Sequence, residues 1–129
     1  MSIERREINP ASVMAPGPYS HGVEVKGVSR TLYVSGQVGQ RKDGSVAEDI
    51  GAQTTIAFEN LKAVLADASM TIADVTKLTI YLVEPADTPG FLQAGGPFLP
   101  APPPAITLLY VKGLASPALR VEIEAIAAA

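Results

Sequence analysis

Two stretches near the C-terminus, residues 105–112 and 119–127, are almost continuously apolar, and no other feature restricts the fold as strongly. Runs of this length read as strands, and the lack of alternation means burial on both faces. One face can be covered by helices. A chain of 129 residues has little left to cover the other. Packing against further copies of the same chain is the economical answer. Charged residues make up only 18% of the sequence, too few to clothe an independent small domain generously, which points the same way. The length predicts a single domain over residues 1–129.

The clearest element is an amphipathic helix over 50–68. Asp49 is its N-cap, and Thr54, Ala57, Phe58, Leu61, Val64, Leu65 and Ala68 form its apolar stripe. A strand follows over 74–82. Its Thr76, Leu78, Ile80 and Leu82 face the helix, and Val75, Lys77, Thr79 and Tyr81 face away. Upstream, Arg5–Ile8 reads as an edge strand stopped by Asn9-Pro10. Residues 22–26 and 30–35 read as a hairpin turning at Lys26-Gly27, and Asp43-Gly44 marks a tight turn. The proline- and glycine-rich segment 84–104 allows one short helix between Asp87 and Ala94, with the rest a rigid extended loop. Together these elements give an α+β fold.

Several function classes lose support at once. The net charge is −3 and no basic block is present, so no footprint for nucleic acid is visible. The absence of cysteine removes disulfides, thiolate nucleophiles and cysteine metal sites. The N-terminus MSIERREINP is polar, with no apolar signal segment, and no apolar run is long enough to span a membrane. The cytoplasm is the default location.

His21 is the single histidine, too few for a histidine metal pair. Its place beside Tyr19 and Ser20, after Pro16-Gly17-Pro18, makes it either incidental to a stiff turn or part of a pocket wall. Glu122 and Glu124 stand two apart in a strand and so project from one face, with Arg120 on the same side. A carboxylate within so apolar a run must be paired, hydrogen-bonded or protonated. Either the pair stands on a solvated face or one salt-bridged with Arg120, or one glutamate orients or deprotonates a water in an intersubunit cleft. Gly36-Gln37-Val38-Gly39 follows a strand but lacks the phosphate-loop ending, so it reads as a turn whose amides still offer an anion a donor.

In order along the chain, Gly17-Pro18-Tyr19-Ser20, Val34-Ser35-Gly36-Gln37, Ala52-Gln53-Thr54 through Phe58-Glu59-Asn60-Leu61-Lys62-Ala63-Val64-Leu65, Asp74-Val75-Thr76-Lys77 and Val121-Glu122-Ile123-Glu124-Ala125-Ile126-Ala127 resemble the reactive-intermediate/imine deaminase (RidA/YjgF) family, once described as translation-inhibiting endoribonucleases. The resemblance implies a chorismate mutase-like fold: a mixed six-stranded sheet with two helices on one face. It also implies a homotrimer whose sheets form a central barrel with clefts between neighbours. It implies hydrolysis of 2-enamines and 2-imines to keto acids and ammonia, with no cofactor and no metal. Mapped residue by residue, the family's pocket tyrosine is Tyr19, the carboxylate that positions water is Glu122, and the glycine-rich strand end is Ser35 and Gly36. The family arginine that grips the substrate carboxylate, after a Pro-Ala pair, falls on Ile106, following Pro104-Ala105. Isoleucine cannot replace a bidentate charged clamp, a loss of roughly 2–5 kcal/mol of interaction. Segment 84–104 also departs from the family, being shorter and richer in Gly and Pro than the helix lining the cleft there.

Three readings follow. The first is a cofactor-independent hydrolase or deaminase acting on a small, less charged metabolite in an intersubunit cleft. In it Glu122 activates water, Tyr19 serves the chemistry, and His21, Ser35, Gly36 and Ile106 bind substrate. The second is a non-catalytic ligand-binding or regulatory trimer. The third is an imino-acid deaminase in which Arg41 or Arg120 supplies the missing cation.

Overall fold

The computed structural model describes residues 3–129. Its elements follow in the order β1 (Glu4–Ile8), β2 (Gly22–Lys26), β3 (Thr31–Val38), α1 (Ile50–Asp67), β4 (Val75–Leu82), α2 (Thr88–Gly95), β5 (Ala105–Tyr110) and β6 (Val121–Ala128). The result is the expected α+β arrangement of six strands, parallel and antiparallel, with two helices packed on one face. Four strands form a sheet in the order β3-β6-β4-β5, in which only β4 and β5 are parallel, and β1 pairs with β2. A parallel bridge between Ser20 and Ala105 attaches the segment before β2 to β5. No helix among the described residues is long and apolar enough to cross a membrane.

Helix α1 begins where the sequence places it, because the Asp49 carboxylate accepts the Ala52 N–H at 2.7 Å. It ends in a Schellman turn: the Met70 and Ser69 amides donate back to the Leu65 and Ala66 carbonyls, and Ser69 takes the left-handed conformation at φ 57°. The buried stripe is Gln53, Thr54, Ala57, Phe58, Leu61 and Leu65. Val64, expected in that stripe, is exposed, and Gln53 takes a core place instead. The Gln53 amide makes this possible by donating to the Ala47 and Ala118 carbonyls and accepting from the Arg120 N–H.

Strand β4 turns Leu78, Ile80 and Leu82 to the helices, as the alternation predicts. Val75, expected on the opposite face, is buried too, because the β4–β6 register shifts between Val75 and Lys77. The expected hairpin between residues 22–26 and 30–35 does not form: β2 pairs with β1, and β3 with β6. The chain turns away at Gly27 (φ 71°), and the Ser29 and Arg30 amides bond to the Ala129 carbonyl. The connector is thereby tied to the C-terminus, which aligns β3 with β6.

Segment 84–104 is more helical than its prolines and glycines suggest. Single 3₁₀ turns at Pro85–Asp87 and Gly96–Phe98 extend α2 at both ends. Pro85, Pro89 and Pro97 sit in first turns, where a missing N–H costs nothing. Gly95 has a packing reason: a Cβ there would lie 2.9 Å from the Phe58 ring. Phe98 stacks on the other side of Phe58, ring centres 5.0 Å apart. In β6, Val121, Ile123, Ala125 and Ala127 are buried against the helices, whereas Glu122, Glu124 and Ile126 are half-buried on the other face. Within one chain, then, the apolar runs are covered on one side only.

Candidate functional site

The uncovered sheet face carries the acidic pair. Register matches Glu122 to Val38 on β3 and to Tyr81 on β4. The β3–β6 ladder is interrupted between Val34 and Gln37, so Ser35 and Gly36 bulge out of it. This bulge brings the Gly36 backbone directly against the Glu122 carboxylate. A Cβ at position 36 would overlap the Glu122 carboxylate, so any larger residue would push that side chain out of its present place. Ser35 is exposed beside it.

Two residues further along β6, Glu124 accepts a short hydrogen bond from the Tyr81 hydroxyl. That bond, reinforced by burial and the neighbouring carboxylate charges, raises the Tyr81 pKa above its ordinary value. Lys77 Nζ donates to Thr107 Oγ1 at 2.6 Å on the same face. Tyr33, Lys77, Thr79 and Glu124 line a shallow cavity of about 310 Å³. Sequence reasoning had Lys77, Thr79 and Tyr81 facing away from the helix. It did not join them to the glutamates, because strand pairing between β4 and β6 leaves no local signal in the sequence.

Arg120 does not share that face, contrary to expectation. Its guanidinium forms a two-pronged pair with the buried Asp87 carboxylate, at 3.0 and 2.5 Å, and reaches the Glu48 carbonyl. The Asp87 hydrogen bonds raise its pKa further, so it stays a cation committed to Asp87. Among the described residues, no lysine or arginine forms a salt bridge with Glu122 or Glu124. Arg41, the other cation considered, bonds to Ser45 in the Asp43-Gly44 turn. The salt bridge between Arg120 and the glutamates is therefore absent, which leaves a solvated face or a water-orienting role for the pair.

Tyr19, His21 and Ile106 lie elsewhere. The Ser20 amide donates to the Pro104 carbonyl and its hydroxyl to the Pro103 carbonyl, which fastens the 17–21 turn to the start of β5. His21 is exposed, its ring edge-on to Tyr19 at 5.4 Å and its Nε2 at 2.7 Å from the Met14 carbonyl oxygen. Ile106 pairs in register with Leu78 and packs on the helix side of the sheet. With Pro18, Tyr19, Phe91, Leu92 and Leu108, it walls a cavity of about 190 Å³. In one chain the candidate residues thus form two groups. Glu122, Ser35 and Gly36 lie on the open face; Tyr19 and Ile106 lie on the helix side, and β4 separates β5 from β6. No group of three or more His, Cys, Asp or Glu side chains placed to hold a metal ion occurs among the described residues.

A family model described as Endoribonuclease L-PSP matches residues 10–129. A 2-iminobutanoate/2-iminopropanoate deaminase of Dermatophagoides farinae is 34% identical over 128 residues, spanning 98% of this chain and 97% of that protein. Among solved structures, YyfB of Yersinia pestis, described as a conserved Rid family protein of unknown function, superposes with a TM-score of 0.86 at 39% identity, covering 97% of this chain and 98% of that one. Escherichia coli TdcF with bound serine superposes with a TM-score of 0.71 at 27% identity, covering 89% and 91% respectively.

Proposed function

The chain belongs to the endoribonuclease L-PSP (RidA/YjgF) family, and from that premise we propose that it is a cofactor-independent, deaminase-like hydrolase of small imines or enamines, working in the cytoplasm in a cleft between copies of itself. In this reading Glu122 accepts a proton from water as the oxygen adds to the carbon of a C=N bond. The proton passes to nitrogen to give a carbinolamine; its hydroxyl proton then follows to nitrogen through Glu122 as the C–N bond breaks, and a carbonyl compound and ammonia leave, an enamine entering as its imine tautomer. Tyr19 of a neighbouring copy closes the site and hydrogen-bonds the reacting group, with His21 behind it. Amides at Ser35-Gly36 hold a polar part of the substrate.

The observation that carries the proposal is the fit of Gly36 to Glu122. A bulge and a glycine set the backbone against one carboxylate that no basic side chain among the described residues pairs with. Such a group is free to accept a proton. The partition of Glu122 and Tyr19 to different sides of the sheet supports a site completed by a second copy. So does the open face itself, where Tyr33 is 75% and Leu109 46% exposed. A trimer with sheets turned inward covers that face.

The non-catalytic reading is favoured by one specific observation: Ile106 stands where the family resemblance expects an arginine. The two readings separate in one assay. Freshly generated 2-iminopropionate and a neutral imine of similar size are supplied, and ammonia release is followed. Wild-type protein accelerates release from at least one of them, and Glu122→Gln lowers that rate by roughly 10²–10⁴-fold. Release at the spontaneous rate with both compounds would leave a binding role.

A further inference from the structure

The cavity beside Tyr19 has no counterpart in the water chemistry assigned to Glu122, and its composition is specific. Its walls are apolar, among them Pro18, Phe91, Leu92, Ile106 and Leu108, and Tyr19 is the one lining residue whose side chain carries a polar group. No lysine, arginine or histidine lines it. Arg120 is committed to Asp87, and Lys77 to Thr107 on the opposite face of the sheet. A carboxylate placed here would lose its hydration with nothing positive to meet it.

We infer that this cavity binds an uncharged hydrocarbon group of the substrate, the size of a phenyl ring or a branched chain of comparable bulk. At about 190 Å³ it is somewhat larger than a cavity of roughly 150 Å³ that accepts benzene. Its walls are already shaped. Phe91 is held at 3% exposure in the core, and the 17–21 turn is fastened by both Ser20 hydrogen bonds. Ligand binding therefore displaces water from apolar surface without ordering a loop. Ile106 acts as a specificity residue, replacing charge recognition by shape. The inference rests on the proposed hydrolase in that the same ligand reaches Glu122 from a neighbouring copy; its binding half stands alone.

The test is calorimetric titration with a matched pair of probes, phenylacetamide and phenylacetate, with propionamide as the short neutral control. Wild-type protein binds phenylacetamide at least about tenfold more tightly than either of the others. Ile106→Arg shifts the preference toward phenylacetate. Leu92→Trp, at a half-exposed position of the rim and so tolerant of bulk, fills the space and removes phenylacetamide binding while circular dichroism stays unchanged. Equal affinity for the amide and the acid, tighter binding of the acid, or no binding of phenylacetamide by wild-type protein would overturn the inference. Binding of phenylacetamide with no imine hydrolysis would keep it and remove the hydrolase.

Discussion

At the scale of single residues, the open face derives its character from carboxylates without basic partners. Tyr81 shows the effect most clearly. Its hydroxyl donates to Glu124, and that bond, then burial, then the charges of Glu124 and Glu122 hold the proton on the phenol. The sign follows from linkage. The folded protein keeps this proton at a pH where an unfolded tyrosine, titrating at 10.0, has released it. The stabilisation is therefore complete below 10.0 and disappears as pH rises through the higher folded value. Alkaline titration of phenolate absorbance is expected to show a late step from Tyr81. Tyr81→Phe removes that late step and Glu124→Gln moves it down. A late step that Tyr81→Phe leaves in place, or none at all, would mean that the bond does not persist in solution.

At the scale of elements, the sequence was most legible where local chemistry decides the outcome. The Asp49 cap, the α1 stripe around Phe58 and Leu61, and the Asp43-Gly44 turn with Gly44 at φ 89° are all read from neighbours a few residues apart. What the sequence hid depends on distant partners. The β2–β3 hairpin failed because the Ala129 carbonyl captures the connector. Arg120 left the glutamate face because Asp87, 33 residues away, receives it. Val75 joined the core through a register shift. Of the candidate site, the shared face of Glu122 and Glu124 was legible from their spacing. The closeness of Gly36 to Glu122, and the distance of both from Ile106, required the strand order. Gln53 is the strongest case of a hidden role, since a buried amide that ties the β3–α1 connection to the β5–β6 connection has no apolar signature. Urea denaturation is expected to show Asp49→Ala costing about 1 kcal/mol. Gln53→Ala costs more, about 1–3 kcal/mol for each backbone group left without a partner. Equal midpoints for the two variants would show that the Gln53 bonds are replaced by water.

At the scale of the whole molecule, one chain is an unfinished object. One face of its sheet is covered by two helices, while the other exposes tyrosines, leucine and unneutralised glutamates. The residues that the family resemblance groups into one cleft fall on two sides of that sheet. Assembly of several copies around the open face would resolve both features together, burying apolar surface and bringing Glu122 of one copy toward Tyr19 of the next. The most direct test is subunit complementation. Glu122→Gln and Tyr19→Ala proteins, each inactive in ammonia release, are unfolded, mixed in equal amounts and refolded together. If each site takes its glutamate from one copy and its tyrosine from another, random assembly restores about a quarter of wild-type activity. A mixture as inactive as its components would show that both residues must come from the same chain, and would contradict the account.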